Sequence, residues 1–366
     1  MTRKNGTAKS PAIATPTRMV RLSPPFGLHQ LFRPIPKDGA VRPTLNETYK
    51  YDDELTLRFS ARESLAAPEQ TLLLVLLEFA QEQHLRKPTE HRLEYTNRTE
   101  IGAQLWSDLH AGSQNSAVKV PGTLMLSFSW SELHRRCGSV STGGAVTESR
   151  RASLTRLCEV TVWEKLESTK TVRSSRLVSW LIGDDQRVHV ALNHRLASAL
   201  LLPGYSQVLL SERLLLDSQT AMLVHAFLST CLRRGNTMDI GYETLVRRLW
   251  PHTGTAVAPV THRRRLSDVK SALRAIGSHE NWKVELGAKV ARVTRKVPRT
   301  SVVPEVQSGT VAVSSSTERS TFNPAREMTR ASHFCVPSTS YAELSFLNKL
   351  NETGHSPRND VAGTIL

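Results

Sequence analysis

One segment, THRRRLSDVKSALRAIG at Thr261–Gly277, restricts the folds open to this chain more than any other. Leu266, Val269, Leu273 and Ile276 recur at spacings of three, four and three, which places them on one side of a 3.6-residue period. Arg264, Ser267 and Ser271 lie roughly opposite, with Arg263, Lys270 and Arg274 on the flank. The segment is thus a helix with an apolar stripe for a core and a basic face for something else. Two predicted helices precede it, one from Asp217 to Arg233 and one over Tyr242–Leu249 that is closed by Pro251. Two short strands follow, Trp282–Leu286 and Lys289–Arg295, turned at Gly287-Ala288. Helix, helix, basic helix and hairpin in that order describe a winged helix, whose third helix enters the DNA major groove while the hairpin reaches the neighbouring backbone.

The charge distribution agrees. The 366 residues carry 48 Lys and Arg against 33 Asp and Glu, a net +15. Residues 1–45 hold 8 basic and 1 acidic residue, residues 46–190 hold 18 and 19, residues 191–295 hold 15 and 7, and residues 296–366 hold 7 and 6. The excess positive charge belongs to the N-terminal segment and to the stretch that contains the basic helix, the footprint of a polyanion binder. Neither basic region has a wide apolar face free to enter lipid, and the longest apolar run, Leu72–Leu77, is too short to cross a bilayer. The N-terminus has no signal-peptide core, and Cys137, Cys158, Cys231 and Cys335 form no CxxC pair, so a reducing bacterial cytoplasm and no membrane partner are expected.

The length suits two ordinary domains. Tyr49–Phe59 alternates around an Asp52-Asp53 turn, and a helix begins at Pro68 with Leu72, Val75, Leu76 and Phe79 as its stripe. Trp130–Cys137 and Thr147–Cys158 are two shorter helices divided by Gly143-Gly144, and Val160–Lys165 and Ser174–Ile182 are strands. Three helices and a hairpin therefore occur twice. The expected fold class is α+β: two tandem winged-helix domains between flexible tails. The expected parts are a disordered basic arm at 1–26, an N-terminal winged-helix domain at 27–190, a C-terminal winged-helix DNA-binding domain at 191–296, and a mostly disordered Ser/Thr/Pro-rich tail at 297–366.

Several blocks together, RVHVALNHRLASAL (Arg187–Leu200), LSERLLLDSQTAMLVHAFL (Leu210–Leu228), YETLVRRLWP (Tyr242–Pro251) and the Arg-rich helix, resemble the IncQ-type plasmid replication initiator RepC family. The likeness extends upstream through TYKYDDELTLRFS (Thr48–Ser60), about two-thirds of the chain in all. The resemblance implies two winged-helix domains that bind directly repeated origin sequences (iterons) in double-stranded DNA and open the adjacent A·T-rich segment, with separate helicase and primase proteins as partners. A second copy of the chain is a further partner to consider. Two alternatives share the local features: a two-winged-helix transcription repressor, and a helicase-loading interaction module with little DNA specificity.

The candidate DNA-binding residues are Arg263, Arg264, Ser267, Lys270, Ser271 and Arg274 on the basic helix, and Lys289, Arg292 and Arg295 on the hairpin. In the first domain the corresponding helix offers Ser149 and Arg156. Arg265, His262 and Trp250-Pro251 are expected to serve packing or capping. No catalytic residue, cofactor or metal site is expected. The chain has no GxxxxGK[ST] loop and no paired-histidine nicking motif; Gly183-Asp184-Asp185 suits a hairpin turn better than a metal pair, and His134 and Cys137 lack a second ligand pair.

Overall fold

The computed structural model describes residues 18–35, 42–96, 99–111, 120–251 and 257–297, and over these the protein is mixed α+β. In chain order the first part runs β1 (Met19–Leu22), α1 (Pro24–Leu28), β2 (Leu45–Lys50), β3 (Leu55–Ala61), α2 (Ala67–Arg86), β4 (Arg92–Leu93) and α3 (Glu100–Leu109). The middle comprises β5 (Thr123–Phe128), α4 (Trp130–Arg136), α5 (Gly144–Glu159), β6 (Thr161–Leu166), β7 (Thr171–Arg176), β8 (Val178–Ile182) and β9 (Val188–Leu192). The last part is α6 (His194–Leu201), β10 (Ser206–Leu209), α7 (Leu210–Arg213), α8 (Gln219–Cys231), β11 (Thr237–Gly241), α9 (Tyr242–Leu249), α10 (Pro259–Gly277), β12 (Trp282–Leu286) and β13 (Val290–Arg295). The strands form four antiparallel sheets, ordered β1-β10, β2-β3-β6-β7, β4-β5-β9-β8 and β11-β13-β12.

Local chemistry accounts for the first half. Asp52 Oδ1 accepts the amides of Glu54 and Leu55 at 2.9 and 2.7 Å, turning β2 back onto β3 as its position predicts. Leu55, Leu57 and Phe59 then face inward while Arg58 faces out. The helix α2 has the expected proline in its first turn, and its run from Leu72 to Ala80 is buried on every side, so it is the central spine of the first half. Glu69, in its first turn, is fully buried. Its carboxylate accepts the Ala66 amide at 2.8 Å, the Ser153 hydroxyl at 3.1 Å and two N–H groups of Arg156 at 2.9 and 2.7 Å.

Three sequence expectations are corrected. The basic arm does not extend to residue 26, because β1 pairs with β10 and Val20, Leu22 and Phe26 are buried. A strand of four residues whose partner lies nearly two hundred residues away gives no local signal; residues 1–17 lie outside the described residues. The strand expected over Ser174–Ile182 is two strands in different sheets. Ser174 and Ser175 are both buried, which breaks the alternation, and Leu177 between the strands is held by its N–H to Val160 O and its carbonyl to the Asn193 amide. The boundary at 190/191 cuts β9, which pairs on both edges with β5 and β8, and one buried apolar cluster runs from Val20 to Val293. The described residues up to Arg295 gather as one unit, and the expected tail beyond residue 297 lies outside the described residues.

In the second half α9, β12 and the Gly287-Ala288 turn fall where the sequence places them, α8 is shorter by two residues at each end, and α10 starts two residues earlier. The strand β11, with only Met238 and Ile240 as apolar members, pairs with β13 and completes a three-stranded sheet. The sheet's base is anchored by one carboxylate. Glu212 of α7 accepts His225 Nε2 at 2.9 Å, Asn281 Nδ2 at 2.6 Å and Trp282 Nε1 at 2.9 Å. Burial alone would raise the Glu212 carboxyl, but these three donors outweigh it and hold it at about 2, against an ordinary 4.5. Burial keeps His225 neutral by lowering its pKa, partly opposed by Glu212. Both groups are depressed on folding, so both contribute stability above their ordinary values that is lost as pH falls. Glu212→Gln is expected to be less stable than the wild type at pH 7, yet to lose less further stability between pH 4.5 and 2, the window set by the shift. Urea unfolding at a series of pH values measures this; curves that decline in parallel would contradict it.

Candidate nucleic-acid interface

The helix α10 starts with proline in its first turn and packs against α8, α9 and β12. Val269, Leu273 and Ile276 are fully buried and Leu266 packs beside them, which is the stripe the spacing predicts. Arg263, Arg264, Ser267, Ser271 and Arg274 are exposed on the other side. Among the described residues none of these three guanidinium groups has a hydrogen-bond or ion-pair partner. A face of unpaired cations is stable where water solvates it and is ready to exchange that water for phosphate or base edges. Arg265 turns away and lies over the Trp250 ring at 5.4 Å, and His262 Nε2 meets Glu243 Oε1 at 3.0 Å. Both tie α10 to α9, the packing role expected of them.

Tyr242, the first residue of α9, joins this helix to the hairpin. Its hydroxyl donates to Gly287 O at 2.8 Å and its amide to Lys289 O at 3.2 Å, so the hairpin turn is bolted to the start of α9. Gly287 is required there, since a Cβ would stand 2.9 Å from Val290 O. Lys270 of α10 lies over the Tyr242 ring, its Nζ 4.8 Å from the centroid. The same tyrosine thus contacts both Lys270 of α10 and the main chain of the exposed Lys289 in the turn.

Two candidate residues are corrected here. Arg295 is 2% exposed and donates to the carbonyls of Ser229, Leu232 and Gln207 at 2.8, 3.1 and 2.6 Å. It closes the base of the hairpin and does not face solvent, because in β13 it alternates in register with the buried Ala291 and Val293. Arg156 is spent on Glu69. Arg292 is exposed, but it pairs with Asp239 across the sheet at 2.9 and 3.1 Å. Ser149 is exposed on α5, whose neighbouring cation Arg151 pairs with Glu148 at 3.2 Å and lies over Trp130. Arg247 was not anticipated: in the Arg247-Arg248 pair of α9 the first is exposed and without a partner among the described residues, while the second donates to Gly27 O at 2.8 Å. The amphipathic period of α9 carried that signal.

The Gly183-Asp184-Asp185 segment joins β8 to β9, with Asp185 Oδ1 accepting the Arg187 amide at 3.0 Å, as a hairpin turn does. His134 Nε2 meets Thr147 Oγ1 at 3.0 Å. Among the described residues no group of three or more His, Cys, Asp or Glu is placed to hold a metal, and no helix is long and apolar enough to cross a membrane.

Comparison with known proteins gives one match to a family, replication protein C (RepC), over residues 18–295. Among solved structures the chain is similar to a crystal structure of domains 2 and 3 of RctB, at 12% identity and a TM-score of 0.44, over 75% of this chain and 98% of that one. No curated protein matches it.

Arg295→Ala leaves three buried carbonyls without a donor and is expected to lower stability by about 2–4 kcal/mol, as loss of a buried charged donor does. Chemical denaturation measures the loss. A variant as stable as the wild type would return Arg295 to the surface.

Proposed function

Because the chain belongs to the replication protein C (RepC) family, we propose that it is a DNA-binding replication initiator that recognises directly repeated origin sequences and promotes opening of the duplex beside them. The observation that carries this reading is the unpaired basic face of α10 standing beside the Lys289 turn. The order α8, β11, α9, α10, β12, β13 with sheet order β11-β13-β12 supports a winged helix in the second half. In that arrangement α10 enters the major groove, Arg263, Arg264, Ser267, Ser271 and Arg274 reach base edges and phosphates, and Lys289 meets the backbone of the adjacent turn. In the first half the order α2, β4, α3, β5, α4, α5, β6, β7 contains helices followed by the β6–β7 hairpin, which supports a second winged helix with β4, α3 and β5 inserted after α2, and with α5 and Ser149 at DNA.

The chemistry is binding energy and no catalysis. Each phosphate neutralised by Lys or Arg releases condensed counterions, which gives affinity that falls steeply with salt. Two linked reading units raise each other's effective concentration on adjacent sites. Strand opening follows from deforming the duplex between repeats, and helicase and primase then act on the exposed strands.

Arg264→Ala is expected to weaken binding to the cognate repeat by about 1–3 kcal/mol and to relax preference at one base position. Lys289→Ala is expected to weaken all sequences alike and to reduce the salt slope by about one. Gel shifts over point-mutated repeats at several salt concentrations separate the two. Unchanged affinity and base preference for Arg264→Ala would remove α10 from the recognition surface.

A further inference from the structure

A series of buried and partly buried polar contacts runs from α5, one of the two helices assigned to DNA, to α8 and β12, the elements on which the apolar stripe of the other, α10, is packed. At one end, Arg156 and Ser153 of α5 hold Glu69 in the first turn of α2. The same turn of α2 is gripped from α7: Arg213 Nε donates to Thr71 Oγ1 at 3.1 Å and Nη2 to Ala67 O at 3.2 Å, while Nη1 donates to Met222 O of α8. The next residue back, Glu212, accepts from His225 of α8 and from Trp282 at the start of β12. Against α8 and β12 lies α10. Glu69 and Arg213 are 0% exposed and Glu212 is 7%.

Cohesion alone does not explain these residues. A buried ion or ion pair is commonly no better for stability than apolar residues of the same volume, because desolvation offsets the attraction. What buried hydrogen bonds add over apolar contact is direction: each fixes a donor angle as well as a distance. Apolar surfaces slide; a guanidinium bound to Thr71, Ala67 and Met222 together does not.

We propose that Glu212 and Arg213 are positioning residues that set the separation and rotational phase of α5 and α10, so that the protein accepts the two parts of its DNA site at one spacing. The proposal rests on the DNA-binding role of the two helices. One inserted base pair moves the second part by about 3.4 Å along the axis and about 35° around it. A rigid pair of reading helices cannot follow that displacement.

The test uses the full chain and a duplex selected by the wild-type protein from a random-sequence library, with one to three base pairs inserted between the two halves of its footprint. The wild type is expected to lose about tenfold or more in affinity on the first insertion. Thr71→Val removes one acceptor at constant shape, and Trp282→Phe removes the indole donor while keeping a ring. Their combination is expected to bind the parent duplex within about threefold of wild type, and its insertion penalty is expected to fall to about two- to threefold. Arg213→Lys is expected to behave likewise where thermal melting shows that it folds, and the double variant decides if it does not. A folded double variant with the wild-type insertion penalty overturns the proposal, as does affinity lost equally at every spacing, the result of a merely structural role. Sequence-specific binding with a flat spacing profile in the wild type overturns the positioning role alone. Absence of any sequence-specific binding overturns the DNA reading and this inference with it.

Discussion

A carboxylate taken out of water is destabilising by several kcal/mol unless donors replace the lost hydration. Glu212 meets that requirement with an imidazole, an indole and a side-chain amide drawn from α8 and from the approach to β12. These are the elements against which α10 is packed, so the orientation of the basic helix follows from where one buried charge finds its partners. Arg213 beside it extends the same logic into the first half of the molecule, where it donates to Thr71 Oγ1 and Ala67 O of α2.

The arginines divide sharply by environment, and that division governs what the net charge means. Burial lowers Arg213, Arg248 and Arg295 to about 9, 10 and 10. All three remain cationic at neutral pH, and all three donate to main-chain carbonyls. They belong to the scaffold. The positive field available to a polyanion in the second half therefore comes from fewer side chains than the composition suggests, chiefly Arg263, Arg264, Arg274, Lys270, Lys289 and Arg247. Because the surviving cations cluster on α10, the end of α9 and the hairpin turn, the local field is more concentrated than a count over residues 191–295 conveys.

Periodicity made some of this legible and hid the rest. The face of α10, the extent of α9, the β2–β3 turn and the β12–β13 hairpin depend on residues close in sequence, and the pattern located them within about two residues. Arg295 was misplaced because Arg292 and Arg295 fall on opposite faces of β13 and the local pattern does not say which face points inward; a one-residue choice of register inverts a side chain's environment. Arg156 was misplaced for a different reason: its partner, Glu69, is 87 positions away, and nothing local marks a buried carboxylate. The strands β1 and β11 were invisible because each is short and owes its existence to a distant partner. The central place of α2 was legible, although its stripe of Leu72, Val75, Leu76 and Phe79 does not by itself tell that the helix is buried on all sides.

Opening a duplex by deforming it requires that the protein be stiffer than the DNA along the coordinate that matters. Smoothly bending a 20–30 base-pair site by 40–90° costs on the order of 1–6 kcal/mol. Breaking one buried, hydrogen-bonded charge pair costs about 3–5 kcal/mol. On the proposed DNA-binding role, relaxing onto straight DNA would strain the Glu69–Arg156 pair together with the bonds of Arg213 to Thr71 and of Trp282 to Glu212, each hydrogen bond to a charged group being worth about 1.5–3 kcal/mol. On that role the balance favours deformation of the nucleic acid, and binding energy gathered by the exposed cations of α10 would be delivered to the duplex between the contacts instead of being absorbed by the protein. The near-neutral first half fits this division of labour: a reading helix with few free charges contributes little attraction of its own, but held at a fixed distance from α10 it determines the path that the DNA must take to touch both.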